Sequence, residues 1–195
     1  MPRVENLYNY ISKTIIGRLA TPVDELRALY NAILDAGPGD HVEIGCLWGG
    51  TAIVAAIIKE QFNLPGHVYT IDPMAGGWWD TQDPAVKLQP TPGRVLDNFV
   101  RFNVAHRISV IRCKSHPWPL PSDIHPVSIF IDGDHEYRGV KVDAQMVKKL
   151  GAKIIAFHDY DSIHTGVKQA LDEEFPCPEW LENGTVRTLK VYRHV

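Results

Sequence analysis

Short apolar runs alternate with segments of helical periodicity along most of the chain. The apolar runs are 41–44, 67–71, 108–111, 127–131 and 153–157. Runs of this length without polar alternation are typical of strands buried on both faces of a parallel sheet. Between them apolar positions recur at helical spacing, as in Val95, Leu96, Phe99 and Phe102 after a Thr-Pro cap. The alternation predicts an α/β fold, a doubly wound, mostly parallel sheet with helices on both faces.

The two ends of the chain depart from this alternation. Leu7, Ile11 and Ile15 recur at helical spacing, so residues 1–20 are predicted to form a helical extension that covers a site in its own chain or in a neighbour. Near the other end, Asn183-Gly184 between two apolar runs predicts a tight hairpin that adds an antiparallel pair at the sheet edge. With a length of 195 residues, one domain over 1–195 is expected.

Residues 74–91 form an irregular stretch that is longer than a simple connection requires. Loops of such length are usually lids or binding loops. Trp78 and Trp79 lie within it, and their rings offer apolar area for closing over a substrate. The alternative is that these aromatic side chains only anchor the loop.

Composition and charge exclude several classes of partner. The 20 basic and 23 acidic residues give a net charge of -3, so neither nucleic acid nor an anionic membrane is an expected partner. No run reaches the roughly 18 apolar residues that a membrane span needs, and the first residues lack the order of a signal peptide. A cytoplasmic protein is expected. The 3 cysteines have no metal-type spacing and are expected to be free thiols.

A glycine-rich loop follows the first predicted strand and reads Glu-Ile-Gly-Cys-Leu-Trp-Gly-Gly-Thr over residues 43–51. Glycines let the backbone turn tightly and approach a ligand, and the next helix offers free N–H groups to an anion. The loop has neither the Walker A ending nor the dinucleotide spacing, which disfavours nucleoside triphosphates and NAD. Asp72 ends the second strand, where a carboxylate can accept both hydrogen bonds of a ribose diol. A structural turn and a solvated aspartate are the alternatives.

Two later strands end in ionisable side chains. Residues 130–137 read Phe-Ile-Asp-Gly-Asp-His-Glu-Tyr, and residues 157–161 read Phe-His-Asp-Tyr-Asp. Because parallel strands end at one edge of a sheet, both segments are expected to build one site. Asp132 and Asp159 are hard oxygen ligands suited to Mg²⁺ or Mn²⁺, and His135 is a candidate general base. The alternative for His135 and His158 is a purely structural hydrogen-bonding role.

In their order, these segments resemble the motifs of class I S-adenosylmethionine-dependent methyltransferases. More narrowly, they are similar to the small-molecule O-methyltransferase group related to cephalosporin-hydroxylase-type and macrolide sugar methyltransferases. The resemblance runs from about Leu26 to Tyr192 and implies a Rossmann-like fold. It also implies a set of cofactor-binding residues: Glu43, Gly45, Gly49, Gly50 and Thr51 near the methionine end, Asp72 at the ribose, Ser115 at the adenine, and Asp132.

The same resemblance implies methyl transfer to a hydroxyl group of a small molecule, with His135 and Asp132 as catalytic residues. As part of the irregular stretch 74–91, the two tryptophans are predicted to lie at the substrate. A hydroxyl is too weak an acid to attack unaided, so a metal or a base must assist it. The metal candidates are Asp132, His158 and Asp159. Metal-dependent relatives carry an acidic residue where this chain has His158, which leaves Mg²⁺, a softer ion or no ion open. A homo-oligomer is open as well.

Two other functions compete with this prediction. A metal-dependent hydrolase would use the ligand-rich cluster of Asp132, Asp134, His135, His158 and Asp159. It would leave the glycine-rich loop and Asp72 without a role. A cofactor-binding protein without catalysis is the third possibility.

Overall fold

The computed structural model describes residues 4–74 and 89–195. The helices within these residues are α1 Val4–Thr14, α2 Val23–Ala36, α3 Gly50–Gln61, α4 Pro92–Arg101, α5 Tyr137–Val147 and α6 Thr165–Glu174, with a short 3-10 turn at Ala105–Arg107. The strands are β1 Asp40–Ile44, β2 Val68–Ile71, β3 Ile108–Ile111, β4 Pro126–Ile131, β5 Ile154–Phe157, β6 Trp180–Val186 and β7 Leu189–His194. Every strand and helix that the hydrophobic pattern predicts is present.

One 7-stranded sheet runs in the order β3-β2-β1-β4-β5-β7-β6. Strands β1 to β5 pair in parallel, and β7 pairs antiparallel with β5 and β6. The predicted α/β architecture is therefore confirmed. The strand order reverses between β1 and β4, where Ile44 lies opposite Ile131, and such a switch point is where open α/β sheets bind their ligands.

Helices cover both faces of the sheet because the parallel strands are apolar on both sides. In β4, Phe130 packs with residues of α1 to α4, whereas Ile129 and Ile131 pack with residues of α5 and α6. Alternate side chains of a strand point to opposite faces, so Phe130 joins one half of the core while Ile129 and Ile131 join the other. The carboxyl ends of the strands are thereby fixed from two sides.

The C-terminal hairpin lies at the sheet edge as predicted, but the predicted turn at Asn183-Gly184 is wrong. Strand β6 continues through these residues to Val186, and β7 begins at Leu189, so the chain reverses around Arg187, which has a φ of 51°. The pairing of β6 with β7 is irregular between Glu182 and Gly184. The Asn-Gly pair therefore lies at a bulge, because pairing with β7 overrides the local turn preference.

Helix α4 differs from its predicted burial at one position. Val95, Phe99 and Phe102 are buried, but the side chain of Leu96 is 49% exposed. Asn98 is fully buried instead. The buried stripe follows the spacing of Val95, Asn98 and Phe99, and Leu96 lies about a quarter turn away from it.

Within the described residues, no helix is both long and apolar enough to cross a membrane.

Candidate active site

The glycine-rich loop between β1 and α3 lies against the end of β4. Gly45 has a φ of 91° and Gly49 a φ of 79°, backbone conformations that favour glycine. A Cβ atom at Gly45 would overlap the backbone carbonyl of Asp132, and one at Gly49 would press on the ring of Phe99. The loop and the first residue of the acidic segment are therefore in direct contact, which joins the two predicted parts of the site.

Glu43 is the buried carboxyl group beneath this loop. Its side chain accepts a hydrogen bond from the Thr51 hydroxyl, and its Oε2 atom has no hydrogen-bond partner within the described residues. Burial raises the pKa of Glu43 to about 8. A buried carboxyl oxygen without a partner costs free energy, so this position fits a ligand that brings a cationic or hydrogen-donating group. The amino group of the methionine end of S-adenosylmethionine is such a group.

Asp72, at the end of β2, is fixed beside the same loop. Its Oδ2 atom accepts a hydrogen bond of 2.7 Å from the backbone N–H of Cys46, and its Oδ1 atom accepts one of 2.6 Å from that of Met74. Oδ2 also accepts a longer hydrogen bond of 3.4 Å from the backbone N–H of Leu47, whereas Oδ1 keeps a further lone pair. The carboxylate is thus oriented at the edge where its predicted ribose contact would be made.

Ser115 is the residue predicted at the adenine. Ser115 follows β3, and its side chain lowers the pKa of Asp143 in α5 against the effect of burial. The same aspartate lies 2.8 Å from His116 Nε2. The adenine role of Ser115 stays a prediction, and the predicted substrate residues Trp78 and Trp79 lie outside the described residues.

The ends of β4 and β5 bring Asp132, His135 and Asp159 together. His135 Nε2 lies 2.8 Å from Asp159 Oδ2 and 3.8 Å from Asp132 Oδ1. Interactions with Asp132 and Asp159 raise the pKa of His135 to about 9, so the ring carries a proton at neutral pH in the metal-free protein. Asp159 has a φ of 60°, a left-handed conformation that is concentrated at functional sites.

His158 completes this cluster and is oriented by a residue that the sequence analysis missed. Its Nδ1 atom lies 3.1 Å from Asp159 Oδ1 and 3.4 Å from Asp132 Oδ1, and its Nε2 atom lies 3.0 Å from Glu25 Oε2. Burial alone would lower the pKa of His158, but the three neighbouring carboxylates outweigh it and raise this pKa. Glu25 is only 1% exposed, so a glutamate of α2 is part of the site.

The sequence does carry a signal for Glu25. The buried face of α2 includes Leu29, Ala32 and Ala36, which follow Glu25 at helical spacing on the same side. A charged residue in an apolar stripe is expected to have a buried partner. The neighbouring His164 was named in no predicted ligand set either, yet its Nδ1 atom lies 3.6 Å from Asp159 Oδ1.

The donor atoms of the cluster fit a divalent metal. One nitrogen or oxygen atom from each of Asp132, His158 and Asp159 lies within 4.8 Å of the other two, and the same holds for His135, Asp159 and His164. Carboxylate oxygens and imidazole nitrogens are both common metal ligands. The first set is the one predicted from the sequence.

The segment after α1 forms a wall of the cleft above the glycine-rich loop. Residues Arg18, Leu19, Ala20 and Thr21 line this cleft together with residues of the loop, Thr51 and Asp132. The side chain of buried Asn98 links this segment to the glycine-rich loop. Its amide oxygen accepts a hydrogen bond of 2.7 Å from the backbone N–H of Ile16. Its amide nitrogen donates to the carbonyl oxygens of Ile16 at 3.0 Å and Trp48 at 2.9 Å. The N-terminal extension therefore covers the loop of its own chain.

Comparison with known proteins assigns the chain to a family. A family model described as a methyltransferase domain matches residues 42–160. The chain belongs to this methyltransferase family. The matched region runs from β1 to just beyond β5, so it includes the glycine-rich loop and both strand ends of the cluster. No curated protein has a significant sequence match to this methyltransferase.

Several solved structures share the methyltransferase's fold. The O-methyltransferase NovP is 18% identical with a TM-score of 0.67, covering 89% of this chain and 80% of its own. CalS11, a TDP-rhamnose 3'-O-methyltransferase of calicheamicin biosynthesis, is 17% identical with a TM-score of 0.63, covering 98% and 87%. TomG from Streptomyces achromogenes, an O-methyltransferase of tomaymycin synthesis solved with SAM, is 14% identical with a TM-score of 0.60, covering 98% and 89%.

Membership of the methyltransferase family decides between the functions left open by the sequence. It confirms the resemblance on which the prediction was based. Nothing in the comparisons supports a hydrolase.

Proposed function

We propose that this methyltransferase transfers the methyl group of S-adenosylmethionine to a hydroxyl group of a small molecule. The observation that carries the proposal is the contact between Gly45 and Asp132. It brings a loop suited to the methyl donor next to a cluster suited to activating the acceptor. NovP, CalS11 and TomG are O-methyltransferases by name, and TomG was solved with SAM, which supports both the donor and the acceptor class.

The donor side of the reaction rests on Glu43, the glycine-rich loop and Asp72. S-adenosylmethionine supplies a methyl group on a sulfonium ion, which needs no further activation. Glu43 faces the methionine end with the carboxyl oxygen that has no partner in the described residues. Asp72 orients the ribose, and the glycines let the backbone approach the ligand closely. These residues contribute mainly by positioning, which is a large part of the catalysis of a two-substrate reaction.

The acceptor side rests on His135, Asp132, His158 and Asp159. Asp132, His158 and Asp159 would hold a divalent ion, whose positive charge would lower the pKa of a nearby hydroxyl. His135 is the proposed general base, since its Nε2 atom lies between Asp132 and Asp159 at the edge where the acceptor would bind. A divalent ion held by these two carboxylates would lower the raised pKa of the ring, so that the neutral imidazole could accept the proton. Proton transfer to such a group contributes about 10²–10⁴-fold in rate.

Calorimetry with S-adenosylhomocysteine tests the donor half. We expect one binding site per chain with a micromolar dissociation constant. Absence of binding at high micromolar concentration would overturn the proposal.

Methyl transfer from radiolabelled S-adenosylmethionine to a panel of sugars, phenols and other hydroxyl compounds tests the acceptor half. His135→Ala should abolish transfer while binding of S-adenosylhomocysteine is kept. If the unchanged protein binds the cofactor product but methylates no compound of the panel, a non-catalytic cofactor-binding protein becomes the better account.

Exhaustive chelation tests the metal separately, and an undiminished rate would remove it from the mechanism. The cytoplasmic location and the homo-oligomer stay predictions.

A further inference from the structure

The buried pair of Glu25 and His158 lies behind the carboxylates of the proposed metal site. Glu25 comes from α2, and His158 follows β5. Their side chains meet at 3.0 Å between Oε2 and Nε2. The other carboxylate oxygen of Glu25 accepts hydrogen bonds of 2.8 Å and 2.7 Å from the backbone N–H and the hydroxyl of Thr188. Glu25 is therefore fixed in place and determines how the imidazole ring is turned.

This orientation directs the second ring nitrogen into the cluster. With Nε2 at Glu25, the Nδ1 atom of His158 faces the oxygens of Asp159 and Asp132 at 3.1 Å and 3.4 Å. The Nδ1 atom is buried and makes no hydrogen bond of good geometry within the described residues. A histidine that donates one ring N–H to a carboxylate presents its other nitrogen as a metal ligand, and the carboxylate strengthens that ligand. Glu25 meets this description.

The nitrogen ligand changes which ion the site should prefer. Mg²⁺ takes oxygen ligands in nearly ideal octahedral geometry, whereas imidazole suits Zn²⁺, Co²⁺ and Ni²⁺. The second converging set, His135, Asp159 and His164, contains two imidazoles. Whichever of the two sets binds the ion, at least one ligand is a nitrogen atom.

We propose that Glu25 and His158 make this site selective for a late first-row transition ion over Mg²⁺, with Glu25 as a positioning residue for the His158 ligand. The inference rests on the proposed function in one respect only, that Asp132, His158 and Asp159 bind a divalent ion. It names the ion class and adds a residue from α2 to the site.

Titration of the metal-free full-length protein with Co²⁺ tests the proposal, because the visible absorption bands of Co²⁺ report nitrogen ligands and coordination number. We expect one equivalent of Co²⁺ to bind with such bands. Competition with Zn²⁺ and Mg²⁺ should place the Mg²⁺ dissociation constant at least about 100-fold above that of Zn²⁺. Equal or tighter binding of Mg²⁺, or no binding of any of the three ions, would overturn the inference.

Two variants locate the selectivity. Glu25→Gln keeps the shape of the side chain and should weaken Co²⁺ binding about 10–100-fold, the usual effect of removing the carboxylate behind a metal-binding histidine. His158→Asp should abolish the preference for Zn²⁺ over Mg²⁺, because all three ligands are then oxygens. Glu182→Gln, at an edge-strand carboxylate that is 51% exposed, is the matched control and should bind Co²⁺ like the unchanged protein. Unchanged Co²⁺ binding and spectra in both Glu25→Gln and His158→Asp would contradict the assignment.

Binding of S-adenosylhomocysteine, measured by calorimetry on the same samples, separates this inference from the proposed function. If the unchanged protein does not bind S-adenosylhomocysteine, the proposed methyl-donor site is wrong. Normal binding together with a preference for Mg²⁺ counts against the Glu25 and His158 assignment alone. A melting curve of each variant verifies that it is folded before the metal affinities are compared.

Discussion

The two halves of the site are built in different ways. The donor half consists of Asp72 and the loop 43–51, and it is shaped mainly by backbone conformation, with Gly45 and Gly49 at positive φ. The acceptor half consists of Asp132, His135, His158 and Asp159, and it is shaped by side chains that meet from different strands and from α2. A backbone-built half needs particular residues at a fixed local spacing. A side-chain-built half needs particular residues only where the fold brings them together.

The halves also treat buried carboxyl groups in opposite ways. Burial raises the pKa of Glu43 to about 8, and the nearby charges of Asp132 and Asp72 act in the same direction. Burial acts in the same direction on Asp159, but His135 and His158 outweigh it and keep the pKa of this carboxyl well below its ordinary value. The donor half therefore contains a buried carboxyl group that a cationic ligand would stabilise in its charged form. In the acceptor half, the histidines already balance the charge of the carboxylates.

The largest effect is expected from breaking the backbone of the donor half. Gly45→Ala places a Cβ on the carbonyl of Asp132 at a φ of 91°, so we expect a loss of about 3 kcal/mol or more in the free energy of unfolding. Gly151→Ala is the control, since its φ is also positive, 72°, but nothing lies within 4 Å, and it should cost about 1 kcal/mol. Chemical denaturation measures both. Equal losses would show that the contact with Asp132 has no importance.

The acceptor half should respond in activity rather than in cofactor binding. Asp159→Asn removes a carboxylate that lies near His135 and His158, so methyl transfer should fall at least about 100-fold. Affinity for S-adenosylhomocysteine should change less than about twofold, because the donor half is intact. Steady-state rates and calorimetry test the two statements. Asp97→Asn on the exposed side of α4 is the matched control and should alter neither.

A substitution in the donor half should weaken cofactor binding and leave the acceptor half unaffected. Asp72→Asn keeps hydrogen-bonding capacity but loses the charge that accepts from the N–H groups of Cys46 and Met74 and that we propose binds the ribose. Charge-assisted hydrogen bonds of this kind are worth about 1.5–3 kcal/mol, so binding of S-adenosylhomocysteine should weaken about 10–100-fold. Metal affinity should be unchanged. A parallel loss of metal affinity would mean that the two halves are coupled.

The smallest effect concerns the pH dependence of stability. The pKa of Glu43 rises from 4.5 in the unfolded chain to about 8 in the fold, so the folded state binds more protons between these values. The stabilisation from this group is present below about pH 4.5 and is lost as pH rises towards 8. Glu43→Gln cannot titrate, so its stability relative to the unchanged protein should increase between pH 5 and 8, by at most about 1.4 kcal/mol for each pH unit. Denaturation at both pH values checks this, and a constant difference would contradict the raised pKa.

The hydrophobic pattern predicted the sheet well because a parallel strand must be apolar on both faces. Strand β3 has the predicted bounds, Ile108–Ile111, and β1 begins at Asp40, one residue before its prediction. The turn at Asn183-Gly184 was wrong, since the local turn preference of this pair is weaker than the pairing of β6 along β7. Local propensity predicts which segments form strands and helices. It fails to predict the position of a turn where long-range strand pairing sets the register.

For the site, the sequence by itself determined the donor half. Its glycines and carboxylates follow one another along β1, α3 and β2, and their chemistry is visible in that spacing. It also determined that Asp132, His158 and Asp159 end neighbouring strands.

Only the tertiary structure decided what surrounds those residues. Glu25 and His158 are 133 positions apart in the chain, and Asn98 joins the N-terminal segment to the loop across 82 positions. No local spacing constrains such pairs, because their distance is set by how α2 and α4 pack on the sheet. The selectivity proposed for the metal therefore depends on a contact that exists only in the folded chain.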